Sequence, residues 1–142
     1  MKRSVLSVLA LATATLLLPA HTADVKLTIT GVEAQGGILW VGLQTEDQFM
    51  KPAGEHVSKI EAPTAGTHTI TLTDVEPGTY SVSAFHDLDG DVEMDLDENY
   101  RPKEGWGMNK GTELRGAPTF ANVSFDVPSG GTALSIEMIY PQ

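Results

Sequence analysis

The chain has 142 residues, a net charge of -10 and no cysteine. Such acidity argues against nucleic acid and anionic membrane surfaces as partners. The lack of cysteine excludes disulfides, thiolate metal sites, cysteine nucleophiles and a lipid-modified N-terminal cysteine.

Lys2 and Arg3 precede an apolar stretch from Val5 to Leu18, broken only by Ser7, Thr13 and Thr15, and small residues follow it up to Ala23. This is the pattern of a secretory signal peptide over residues 1–23. The run is shorter than the roughly 20 apolar residues of a membrane-spanning helix. Cleavage is expected after Ala23, with Ala20 as the alternative because His21 is a poor residue three places before the cut. The expectation is an exported protein, periplasmic or extracellular and not lipid-anchored. Residues 24–142 then suit one compact domain. Without disulfides it relies on its core, or on a metal as well.

Period-two alternation dominates that domain, and no stretch reads as an amphipathic helix. Val25, Leu27 and Ile29 alternate with polar residues up to Gly31, and Gln35-Gly36-Gly37 reads as a hairpin-type turn. Ile38 to Gln44 is nearly continuous and apolar, as expected of a central strand. Val57 to Ile60 is a weaker strand, and Glu46 to Glu55 has room for one helical turn. Thr67 to Thr73 alternates around Ile70 and Leu72. In Glu76-Pro77-Gly78-Thr79-Tyr80, proline followed by glycine predicts a type II turn with positive φ at the glycine. From it a strand runs through Tyr80, Val82 and Ala84. Two more strands are expected, at Val123, Phe125 and Val127 and at Leu134, Ile136 and Met138. The sum is an all-β fold, a single antiparallel β-sandwich of about seven strands.

One connection breaks the pattern. Leu88 to Thr119 is long, poor in strand signal and rich in Gly, Asp, Glu and Asn, and loops of that length tend to be functional or disordered. Its start is the most distinctive part of the chain, with seven carboxylates between His86 and Glu98 and no Lys or Arg among them. Two unit charges about 6 Å apart repel by roughly 3 kcal/mol at an effective dielectric of about 20. Such a segment either stays open and solvated or gathers a cation. The alternate spacing of Asp87, Asp89, Asp91, Glu93 and Asp95 fits convergence on one Ca²⁺. Asp87 to Glu98 also places a carboxylate at every ligand position of an EF-hand loop. However, position 6 is Val92 instead of glycine, and the flanks are a strand and a loop instead of helices. A β-branched residue resists the left-handed backbone usual at that position. A β-flanked Ca²⁺ loop and a plain solubilising loop both fit.

Other residues admit fewer roles. His86 ends a strand in phase with Val82 and Ala84, as a neutral histidine bonded beneath the loop or as half of an acid–base pair with Asp87. Arg101 and Lys103 read as counter-charges to the acidic loop. Trp106, between Gly105 and Gly107, reads as a ring plugging the sandwich or, with Tyr100, as a platform for a carbohydrate or peptide ligand. No phosphate loop, nucleophile elbow or His-Glu-x-x-His motif occurs. A small hydrolase built on paired carboxylates is therefore the third functional reading, after a Ca²⁺-ordered non-enzymatic module and a ligand-binding module.

Pro77-Gly78-Thr79-Tyr80, Ala84 to Asp91, Met94-Asp95, Pro102 to Gly107 and Ala117-Pro118-Thr119-Phe120 occur in that order. Together they resemble the bacterial family catalogued as domain of unknown function 2141, small exported proteins. The resemblance spans nearly all of the mature chain and is most specific from Pro77 to Phe120. It implies export and a β-sandwich and leaves the biochemical role open. In that pattern Asn is common where Asp89 and Asp91 stand, Gly where Val92 stands and Leu where Met94 stands. The Pro-Gly-Thr-Tyr turn is also similar to those of transthyretin-like and carboxypeptidase regulatory-like sandwiches.

Overall fold

The computed structural model describes residues 21–52 and 54–142. The expected signal peptide falls mostly on residues 1–20 and so lies outside the described residues. Eight strands follow in chain order: β1 (Ala23–Val32), β2 (Ile38–Gln44), β3 (Glu55–Glu61), β4 (Gly66–Val75), β5 (Gly78–Asp87), β6 (Gly105–Met108), β7 (Phe125–Val127) and β8 (Thr132–Glu137). One helical turn, α1 (Phe120–Val123), and two short 3₁₀ turns, at Glu46–Gln48 and Gly111–Glu113, lie in the connections. Among the described residues no helix is long and apolar enough to cross a membrane.

The strands form two sheets, as the alternation predicts. One has the order β4-β1-β8, and the other β3-β2-β5-β6 with β7 added onto β5. Val25, Leu27 and Ile29 of β1 face Leu39, Val41 and Leu43 of β2 and Val82 and Ala84 of β5 in one core, all 2% exposed or less. Burying each of the larger side chains stabilises the fold by roughly 1.5–3 kcal/mol. The continuous apolar run of β2 belongs where it was expected, between β3 and β5. Strand β8 pairs with β1 in parallel, Leu27 opposite Leu134 and Ile29 opposite Ile136. Parallel pairing needs a crossover, and the chain makes it by passing from β7 on one sheet to β8 on the other.

Four local expectations change. Gln35-Gly36-Gly37 turns a corner between sheets and does not close a hairpin, because β1 and β2 belong to different sheets. Gly37 has φ +66, and a methyl group there would lie 2.3 Å from the carbonyl oxygen of Asp87, so the corner packs directly on the end of β5. Gly78 is not among the residues with positive φ, so the turn before β5 is not type II. A Cβ at this position would rest in ordinary contact with the Tyr80 ring, 3.4 Å away, so the glycine lies directly beneath that ring. The Tyr80 hydroxyl donates to the carbonyl of Glu76 at 3.0 Å, the tyrosine-corner arrangement of immunoglobulin-like sandwiches. Val123 is buried in α1 instead of opening a strand. Residues 105–108, expected as a loop around Trp106, form strand β6 against β5. The small glycines of β6 face inward, and the single outward tryptophan offers no alternation long enough to reveal the strand.

Candidate metal-binding loop

Strand β5 delivers His86 and Asp87 to opposite faces of its sheet, as consecutive strand residues must. His86 points inward and is fully buried. Its Nε2 lies 2.7 Å from the carbonyl oxygen of Gly36, which only accepts, so Nε2 carries the proton. Nδ1 then accepts from the Tyr140 hydroxyl at 2.8 Å, and that oxygen in turn accepts the Glu33 amide at 3.0 Å. Burial pushes the Tyr140 phenol above its ordinary range; the Glu33 amide bond pulls it down and the Glu33 charge adds to the rise. This tautomer, assigned from its partners, ties the β1–β2 corner and the C-terminal segment to the root of the loop. The neutral structural histidine is the reading that fits; the His86–Asp87 acid–base pair does not form, because the two side chains face apart.

Asp87 turns outward yet is also fully buried, covered by the loop it begins. It sits opposite Ile38 on β2, so Trp40 is its diagonal neighbour on the same face. Its Oδ2 accepts the Trp40 indole N–H at 3.2 Å and the Val92 amide at 3.2 Å, while Oδ1 accepts the Gly90 amide at 2.7 Å. The motif continues along the loop. Asp89 Oδ1 accepts the Asp91 amide at 3.2 Å and Asp91 Oδ1 accepts the Glu93 amide at 2.8 Å. Much of the alternate acidic spacing is therefore local backbone chemistry, in which each carboxylate caps a turn two or three residues ahead.

A second carboxylate holds the loop from below. Glu104 is 5% exposed and accepts the Leu88 amide at 2.8 Å with Oε1 and the Asp95 amide at 3.3 Å with Oε2. It thus pins both ends of the 88–95 segment to the start of β6. Beyond Asp95 the chain folds back on itself. Leu96 bridges Pro102, the Lys103 amide donates to the Asp95 carbonyl, and Asp97 closes the tip. The Asp97 carboxyl is held below its usual range mainly by the Arg101 amide, with the Asn99 amide and the Arg101 side chain adding to this. Arg101 is thus a counter-charge as expected, at 2.9 Å from Asp97, whereas Lys103 forms no ion pair among the described residues.

Of the five predicted metal ligands, the structure brings three together. Asp87, Asp89 and Asp91 can each offer one oxygen with all three atoms within 4.8 Å of one another. Glu93 and Asp95 lie outside that cluster. Val92 takes the left-handed conformation after all, with φ 62, held by its bond to Asp87. A non-glycine residue there costs roughly 1–2 kcal/mol, so Val92→Gly should raise stability by about 0.5–1 kcal/mol in a urea titration after the added chain entropy is counted. Trp106 is half-buried, and its ring lies against Gly111. Tyr100 stands 85% exposed on the Asp97–Arg101 tip, and no ring contact joins the two among the described residues.

Two residues of this site have roles that the sequence does not show. Glu104, with Asp87 a candidate acid of the hydrolase reading, sits next to a strand too short to detect, which hides its hold on the Leu88 and Asp95 amides. Trp40 reads as part of an apolar run, and nothing in the sequence marks its indole N–H as the partner of a carboxylate 47 positions on.

Fold and site define a small β-sandwich with an acidic, internally bonded loop at one end of its larger sheet. The family described as "uncharacterized protein conserved in bacteria (DUF2141)" matches residues 27–135, and the chain belongs to it. No curated protein and no solved structure matches significantly.

Proposed function

We propose that the protein is an exported, non-catalytic β-sandwich module whose acidic loop is ordered by one Ca²⁺ between Asp87, Asp89 and Asp91. The observation that carries this reading is the convergence of one oxygen from each within 4.8 Å. At that distance each pair of charges repels by roughly 3–4 kcal/mol at an effective dielectric of about 20, which a divalent ion would relieve. Among the described residues Asp87 Oδ1 accepts one amide, that of Gly90, and so keeps a lone pair for a metal. Three carboxylates leave the remaining positions of a six- to eight-oxygen shell to loop carbonyls and water. That composition belongs with the weak sites of extracellular modules, with Kd of roughly 0.1–1 mM. A non-catalytic role is supported by the engagement of both His86 nitrogens and its separation from Asp87. Export rests on the signal-peptide pattern. Cleavage after Ala20 is favoured, because Ala23 is buried in β1 and pairs with Val75.

Melting curves with Ca²⁺, Mg²⁺ and EDTA test the proposal. With Kd of about 0.5 mM, 5 mM Ca²⁺ adds about 1.4 kcal/mol. That raises Tm by about 5 °C over the EDTA sample. An unchanged Tm would favour the second reading, which the turn-capping bonds of Asp89 and Asp91 support: a loop ordered by its own backbone and needing no ion.

A further inference from the structure

The outward face of the five-stranded sheet carries a row of residues in direct register. Lys59 lies opposite Trp40, Trp40 opposite Phe85, and Phe85 opposite Trp106. The Trp106 end is covered by the turn at Gly111. The Trp40–Phe85 end opens into a groove of about 220 Å³. Its floor is Gly42 and Ser83, its walls Val57 on β3 and Val92 on the acidic loop. Both valines are more than half exposed, at 57% and 58%. Val92 reaches the groove only through a left-handed backbone, and strain kept at an exposed apolar residue is a feature of binding surfaces.

Charge states the chemistry of the occupant. The carboxylates of Asp91 and Glu93 flank Val92 and are exposed, and neither joins an ion pair among the described residues. The chain's own Lys59 ammonium rests 5.7 Å from the centre of the Trp40 ring and pairs with Glu61 at 2.7 Å, so among the described residues the uncompensated charge beside the groove is that of Asp91 and Glu93.

We propose that this groove docks an extended, cationic segment of a protein partner. An apolar side chain enters between Val57 and Val92 onto Trp40 and Phe85, and a neighbouring Lys or Arg meets Asp91 and Glu93. The site shares Asp91 with the Ca²⁺ proposal, so it is tested in EDTA, where no ion competes for that carboxylate.

The probe is a short blocked peptide of alternating Lys and Leu, titrated into the full mature protein and followed by NMR. The expected result is a saturable shift of the Trp40 indole N–H and the Val57 and Val92 methyl signals, weakening as salt is added. A peptide alternating Gln and Leu should bind at least ten-fold more weakly. Val57→Ser and Val92→Gly should each weaken binding by about ten-fold, the loss of one buried valine. Val92→Gly is expected to fold more stably than the parent, so weaker binding cannot be blamed on unfolding. Equal binding of the Gln–Leu peptide would overturn the proposal, as would shifts confined to the acidic loop or to the amides of the β3 edge.

Discussion

Asp87→Ala is expected to destabilise the protein by about 4 kcal/mol in urea denaturation, with EDTA present. Three N–H donors lose their acceptor at once: the Trp40 indole and the amides of Gly90 and Val92. Hydrogen bonds to a charged acceptor contribute about 1.5–3 kcal/mol each, though not additively. The group is fully buried, so water does not readily replace it. A folded domain holds only about 5–15 kcal/mol in total, and the loss takes a large share of that. The Trp40 indole proton reports the same event locally, and its exchange with solvent should accelerate in the variant. Asp87→Asn keeps the shape but turns an amide N–H₂ toward a donor, so it should lose about half as much. A variant as stable as the parent would mean that the loop is not anchored through this carboxylate.

Glu104→Ala is expected to cost about 3 kcal/mol by the same measurement. Its two oxygens hold the Leu88 and Asp95 amides, which lie 16 and 9 residues before it in the chain. Removing it takes one bond from each end of the 88–95 segment and leaves the Lys103 and Asp87 bonds in place, so the local effect exceeds the global one. Limited proteolysis should cut the variant between residues 88 and 95 while β1 to β5 stay protected. Protection equal to the parent's would show that the Asp87 bonds alone order the loop. The two predictions are coupled, because both residues brace one segment. The double variant should lose less than the sum of the single losses.

The sheets were legible because they obey a simple period. Val25, Leu27 and Ile29, or Tyr80, Val82 and Ala84, can alternate only one way against a core. What was hidden shares a different character. β6 is four residues long with two glycines, too short to show a period. The parallel partner of β1 depends on a crossover that no local pattern encodes. Pro-Gly commonly turns with a positive φ at the glycine, whereas Gly78 enters β5 without one, and its Tyr80 ties the turn through its hydroxyl to Glu76. In the acidic loop the residue types were informative, but their partners were not. Asp87 and Glu104 are acceptors for N–H groups brought in from β2 and from across the loop, and such pairings appear only once the chain is folded. Val92 shows the opposite error. Its β-branched side chain argued against a left-handed turn, yet the bond from its amide to Asp87 outweighs a strain of about 1–2 kcal/mol.

The central claim is that Asp87, Asp89 and Asp91 hold a cation together. A crystal structure of the mature protein grown in 10 mM Ca²⁺, with the anomalous signal recorded, addresses it directly. The account predicts one ion with an oxygen of each of the three carboxylates about 2.3–2.6 Å away. Three splayed carboxylates with only solvent between them at that concentration would contradict it.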